Sequence, residues 1–199
     1  MNWKRILTIS LLTLSLAACE DDQTSTKKEP SIIYEVNEQM MAKSDSGVGE
    51  KVPELESNQE KVKFLWASDG DTAVFERIDN SKGSIGEQIK VRFLLIDSAE
   101  MKDKETGKPQ PFAEAAKART TELLQSAKEI IIETDEGDHY DNYQRLLAYV
   151  FVDGVSVQEI LLEEGLAKVK YVFPPNIRYL DQFTEAEKIA INEGVGLWE

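Results

Sequence analysis

Three short stretches of this chain collect acids and arginines at spacings that could do hydrolytic chemistry. The first is Asp69-Gly70-Asp71-Thr72, which taken alone also reads as a β-turn, for which Asp-Gly is a common choice. The second is Arg92-Phe93-Leu94-Leu95-Ile96-Asp97-Ser98-Ala99-Glu100, where a guanidinium sits inside an apolar strand. Burying that charge is costly unless an anion meets it, and Asp97 and Glu100 bracket the strand exit, where carboxylates can reach a common point. An Arg–carboxylate ion pair closing one end of a sheet would satisfy the same residues. The third is Asp141-Asn142-Tyr143-Gln144-Arg145-Leu146-Leu147-Ala148-Tyr149, in which a second arginine opens a strand after a polar loop. It also fits an ordinary cation at a strand edge.

Composition narrows the chemistry available to these residues. The chain has 199 residues, 23 basic against 37 acidic, and a net charge of −14. It is 41% hydrophobic and 30% charged, which fits neither an integral membrane bundle nor a wholly disordered chain. Cys19 is the only cysteine, excluding an intramolecular disulfide and any cysteine-based metal cluster. His139 is the only histidine, excluding every site that needs two imidazoles. The acidity argues against holding nucleic acid by overall basic charge. Any catalysis must come from carboxylates, arginines or hydroxyls.

The elements that would position these groups are legible from residue 61 onward. Val62, Phe64 and Trp66 alternate with polar neighbours, Ser68 to Asp71 turns the chain, and Thr72 to Ile78 alternates again. After a turn at Asp79 to Gly83, Gln88 to Ile96 reads as one strand, with Arg92, Leu94 and Ile96 on a common face. Asp97 to Pro111 reads as a mobile polar loop. A helix is expected from Phe112 to Ala127, with Phe112, Ala116, Leu123 and Ala127 forming its apolar stripe. Glu129 to Thr134 and Arg145 to Val152 are further strands, separated by an acidic, aromatic loop. Asp153-Gly154 is a turn signal, and Ser156 with Glu159 forms a capping box for a second helix that Gly165 stops. A third helix spans Ile177 to Asn192, with Tyr179, Phe183, Ala186 and Ala190 inward. Five strands with three helices in this order predict an α+β chain: a small Greek-key barrel of OB type.

Taken together, the motifs resemble the staphylococcal nuclease-like (thermonuclease) family, from about Val62 to Trp198. The ordered matches are Asp-Gly-Asp-Thr, the Arg-x-Leu-Leu-x-Asp-Ser-x-Glu strand exit, Tyr-x-Arg-x-Leu-Ala-Tyr, and Glu164-Gly165-Leu166-Ala167-Lys168-Val169. The resemblance implies an OB barrel and a calcium-dependent nuclease, with DNA and RNA as substrates and 3′-phosphate products. It implies Asp71 and Asp97 as carboxylate ligands to calcium, with Ser98 offering a backbone oxygen. Arg92 and Arg145 correspond to the phosphate-binding arginines and Glu100 to the general base. Tyr143 and Tyr171 are implied in substrate binding. Two carboxylates and a carbonyl suit a hard cation and leave room for phosphate and water. Arginines that stay protonated can clamp oxygens whose charge grows at a five-coordinate phosphorus.

Besides Ser98, which stands where the family usually has Thr, four positions depart from the family pattern. Ala99 replaces a frequent proline, Asn142 a lysine that helps bind a terminal phosphate, Gln144 a glycine, and Phe173 a second tyrosine. Residues 61–199 carry 17 basic and 26 acidic residues, so binding to polyanions should be weaker than in a basic nuclease. The expected result is retained turnover with a raised apparent KM, above all at low calcium. Outside the motifs, His139 reads as solvated, Trp66 as core or half-buried strand packing, and Trp198 as packing the last helix on the barrel. Glu159, Glu163 and Glu164 read as a solvated helix face.

The N-terminal third reads differently. Residues 1–19 have a signal-peptide layout: Lys4 and Arg5, an apolar run too short to span a bilayer, then Leu16-Ala17-Ala18-Cys19. That ending resembles a bacterial lipobox, making Cys19 the lipidation site and placing the mature protein on the extracytoplasmic side of the cell membrane, anchored by lipid or secreted. An ordinary signal peptide cleaved near the alanines is the alternative. Residues 20–60 hold four lysines and eleven acids with scattered apolar residues, the composition of a flexible tether. No obligate protein partner is implied. Two other functions fit the same barrel: a catalytically inactive binding module, or a surface lipoprotein stabilised by calcium. Family members that lose catalysis usually lose an arginine or an acidic ligand, and this chain has lost none.

Overall fold

The computed structural model describes residues 55–199. The alternating segments form β1 (Gln59–Asp69), β2 (Thr72–Arg77) and β3 (Gln88–Phe93), an antiparallel meander. β4 (Ile96–Ser98) and α1 (Ala113–Ser126) follow, then β5 (Ile130–Glu133) and β6 (Leu146–Val152). The chain ends through β7 (Val155–Ser156), α2 (Val157–Glu163), β8 (Ala167–Val169), α3 (Leu180–Glu193) and a 3₁₀ turn at Gly196–Trp198. β1 begins at Gln59, inside the segment read from sequence as tether. None of the helices among the described residues is long and apolar enough to cross a membrane.

The strand order β3-β2-β1-β5-β6 closes on itself because β3 also pairs with β6, in parallel, with Arg92 opposite Leu147. This is the expected five-stranded barrel with three helices. Closure removes the free edges that an open sheet would expose. Phe75, Val91, Phe93, Ala148 and Val150 are buried inside, and α1, α2 and α3 carry the core outward through Leu124, Leu161 and Phe183. The buried residues of α1 are Ala113, Ala116, Thr120 and Leu124; of the expected stripe Ala116 is among them, and Leu123 and Ala127 pack partly buried against the core. Ser156 caps α2 as its sequence predicts, its hydroxyl accepting the Glu159 N–H at 3.3 Å. A buried charge pair joins β1 to β2, Arg77 donating to both Glu60 oxygens at 2.9 and 2.8 Å.

Two expectations about strands change. The run Gln88–Ile96 is not one strand: β3 stops at Phe93, and Leu95 takes a left-handed conformation, φ 64°. The Leu94 N–H turns to the Ala148 carbonyl at 3.0 Å, and the chain restarts as β4, paired with the short β8. Arg92 therefore does not share a strand face with Ile96. Trp66 is 51% exposed rather than packed, because register shifts on either side of it break the alternation of β1.

Candidate active site

The β1–β2 turn brings Asp71 against the barrel end, and the fit there is tight. A Cβ on Gly70 would lie 2.7 Å from Ala116 Cβ and 2.9 Å from Ser98 Cβ, so only glycine lets α1 and β4 approach this closely. Thr120 of α1 locks the turn, its hydroxyl donating to the Gly70 carbonyl at 2.6 Å. The Asp71 carboxylate is buried. It accepts the Ser98 N–H at 2.7 Å and the Thr72 hydroxyl at 3.0 Å, and faces Arg92 Nη1 at 3.0 Å.

Arg92 is held in place by its surroundings. Its side chain is about one-tenth exposed, and Nη1 also points at the Asp71 and Phe93 carbonyls at 3.4 and 3.3 Å. Nη2 stands 3.4 Å from Asp97 Oδ1, so a single guanidinium meets both aspartates. The break at Leu94–Leu95 makes this possible, because it returns the chain across the barrel end and sets Asp97 beside Arg92.

Arg145 comes from the loop before β6, and Asp141 fixes it. Asp141 accepts the Arg145 backbone N–H at 2.9 Å, its Nε–H at 2.7 Å, and the Tyr143 N–H at 2.9 Å. Burial pushes the Asp141 carboxyl upward, yet the hydrogen bonds from Arg145 and Tyr143 outweigh it and hold it below the usual carboxylate range. Gln144 adopts φ 60°, which explains why a glycine suits this position. Each arginine lies near an aromatic ring: Arg92 is 5.4 Å from the Tyr171 centroid and Arg145 is 5.4 Å from that of Tyr143.

A cleft of about 1130 Å³ collects Arg92, Arg145, Glu100, Tyr143, Tyr171 and Phe173 on its walls. Asn176 ties its two flanking loops together, accepting the Gly137 N–H at 2.7 Å and donating to the Asp138 carbonyl at 3.1 Å. Asp71 and Asp97 meet the cleft through Arg92, which contacts both. Burial, then the negative charges of Asp69, Asp71 and Asp97, push the Glu100 carboxyl above its ordinary value, with Arg92 opposing. Burial likewise raises the Asp71 carboxyl against the pull of Arg92. This concentration of negative charge, built from hard oxygens, fits a divalent cation in its charge and in its donor type. Among the described residues no group of three or more His, Cys, Asp or Glu side chains forms a ready cage, so protein would supply only part of a coordination shell.

Comparison with known proteins decides the kinship. The family model described as staphylococcal nuclease homologue matches residues 90–199. An endonuclease, YncB, of Bacillus subtilis (strain 168) is 38% identical over 94% of this chain and 87% of its own length. The chain belongs to the staphylococcal nuclease family. It is, by that membership, a nuclease. The SPbeta prophage-derived endonuclease YokF of the same organism is 52% identical over 54% of the chain, which spans 36% of that longer protein. A thermonuclease of Staphylococcus hyicus is 30% identical over 71% of the chain and 78% of its own length.

The nuclease thus gathers every site residue of its described part that the sequence singled out, the aspartates joining the group through Arg92. Cys19 lies outside the described residues. Tyr143, at 78% exposure, and Tyr171 stand at the mouth. His139 is exposed as expected, and Trp198 is partly buried with Lys168 Nζ 4.4 Å from its ring centroid. Among the participants that escaped the sequence reading, two touch the motif acids directly. Gln110 accepts the Glu100 N–H through Oε1 at 2.9 Å and donates from Nε2 to Asp103 at 3.0 Å, bracing the loop that carries Glu100. Asp103 in turn accepts from Glu105 and Thr106, so residues 100–111 form a braced turn rather than a loose loop. The other is Lys170, whose Nζ lies 2.7 Å from Asp97 Oδ2. Neither carries a periodic or motif signal; a lysine just past a three-residue strand looks like any surface lysine.

Proposed function

We propose that this nuclease hydrolyses phosphodiester bonds of DNA and RNA in a calcium-dependent reaction outside the cytoplasmic membrane, leaving 3′-phosphate ends. The observation that supports it best is the convergence of Arg92, Arg145 and Glu100 on one cleft, with two carboxylates meeting Arg92.

Arg92 and Arg145 bind the non-bridging oxygens of the scissile phosphate and stabilise the charge that grows there in the transition state. Glu100 accepts a proton from the attacking water, whose oxygen bonds to phosphorus. The phosphorus–O5′ bond breaks, and the leaving oxygen takes up a proton to give a 5′-hydroxyl. Tyr143 and Tyr171 offer faces on which flanking bases can stack. Asp71 and Asp97, with a backbone oxygen of Ser98, would hold calcium, which when bound polarises the phosphoryl group and orients water. Asn142 leaves a terminal phosphate without a lysine, which favours a raised apparent KM.

The test is hydrolysis of single-stranded DNA by the full chain, with and without calcium. Activity is expected at millimolar calcium and lost in EDTA; equal activity in EDTA would overturn the metal assignment. Arg92→Ala and Glu100→Ala are each expected to lose orders of magnitude with the fold intact. End-labelling of products reads out the 3′-phosphate. The lipobox-like ending at Cys19 supports a lipid anchor, and metabolic labelling with a fatty acid tests it: label retained by Cys19→Ala would exclude that residue.

A further inference from the structure

Lys170 follows β8 directly, and its backbone N–H is fixed to the Leu95 carbonyl at 2.9 Å, so its side chain emerges beside Asp97. The two oxygens of Asp97 are divided between two cations. Oδ1 faces Arg92 Nη2 at 3.4 Å, and Oδ2 accepts from Lys170 Nζ at 2.7 Å. The shorter contact belongs to lysine.

The two cations differ in their freedom to leave. The Arg92 side chain is 10% exposed and held by carbonyls as well as carboxylates, so it is part of the wall. The Lys170 side chain is 54% exposed on a flexible four-carbon stem, and its ammonium already lies 5.1 Å from the Tyr171 ring centroid, a second resting place. An ammonium at contact distance from Oδ2 and a divalent ion on the same oxygen exclude each other by size and by charge.

We propose that Lys170 is a tethered competitor for the calcium position: it neutralises Asp97 when the site is empty, must withdraw from Oδ2 for calcium to enter, and thereby sets the calcium concentration at which the nuclease works. The inference rests on the assignment of Asp71 and Asp97 as calcium ligands. Removing the ammonium should strengthen calcium binding and weaken the calcium-free protein at once, since the same contact supports the empty state and opposes the filled one.

Calcium binding to the full chain and to K170M is measured by titration calorimetry, with thermal unfolding in EDTA and in saturating calcium alongside. K170M is expected to reach half-saturation at about fivefold lower calcium, in the range for a partly exposed ion pair. It is also expected to unfold at lower temperature in EDTA and to gain more from calcium than the wild type. K170R, which keeps the charge, should stay near the wild-type half-saturation; K170Q replaces K170M should that variant fail to fold. Equal or weaker calcium binding by K170M, with unfolding lowered alike in both conditions, overturns the competitor role and leaves the metal assignment standing. Calcium binding to neither protein overturns both.

Discussion

Asp141 grips Arg145 from two sides, through the backbone N–H at 2.9 Å and the side-chain Nε–H at 2.7 Å, so that loop geometry and guanidinium direction are set by one carboxylate. Asp141→Ala should lower kcat/KM by about 10- to 100-fold, because a misdirected arginine loses interactions worth more in the transition state than in the ground state. If Asp141 acts through Arg145, the double variant with Arg145→Ala should be no worse than Arg145→Ala alone. Strictly additive losses in this kinetic cycle would show that Asp141 works independently.

Gly70 offers a stability test at the heart of the site. A methyl group there would meet Ala116 and Ser98 at less than contact distance, and both elements are tied to the turn, α1 through Thr120 to the Gly70 carbonyl and β4 through the Ser98 N–H to Asp71. Gly70→Ala should cost about 1–3 kcal/mol, as overpacking of a tight contact does. Urea unfolding checks it, and an unchanged midpoint would show that α1 and β4 are free to shift.

The loop carrying Glu100 should lose its brace in acid. Hydrogen bonds from Thr106 and Gln110 hold the Asp103 carboxyl down to about 2. A depressed carboxyl stabilises the folded form fully above its ordinary value of 3.8, and that contribution drains away as pH falls toward about 2. Amide-exchange protection at Thr106 should therefore drop across this window ahead of the barrel strands. Asp103→Asn should show low protection at every pH; equal protection in the two proteins would contradict the assignment.

Gln144 carries the reverse prediction. Its φ of 60° is one that residues with a Cβ adopt only at a cost, and its side chain is exposed. Gln144→Gly should raise stability by about 0.5–1 kcal/mol. Thermal unfolding reads the change, and a fall in midpoint would mean that the exposed amide makes contacts of its own.

Local signals carried much of this molecule, and their failures have physical causes. Alternation found β1 and β2, Asp153-Gly154 marked the turn that ends β6, and Ser156 marked the cap of α2, because these depend on near neighbours in sequence. The break after Phe93 was hidden because Leu94, Leu95 and Ile96 all are apolar; the bend is imposed by the Ala148 carbonyl, which lies far along the chain. β8 is three residues long, too short for any period to register. The charged site residues were legible as motifs, whereas Lys170 and Gln110 matter only through partners that folding supplies.

The parallel seam between β3 and β6 has a temporal consequence. Arg92 lies on one side of it and Arg145 at the mouth of the other, so neither half of the chain alone possesses the pair. Contacts joining such distant segments are slow to form. The two arginines therefore face one cleft only once β3 and β6 have met.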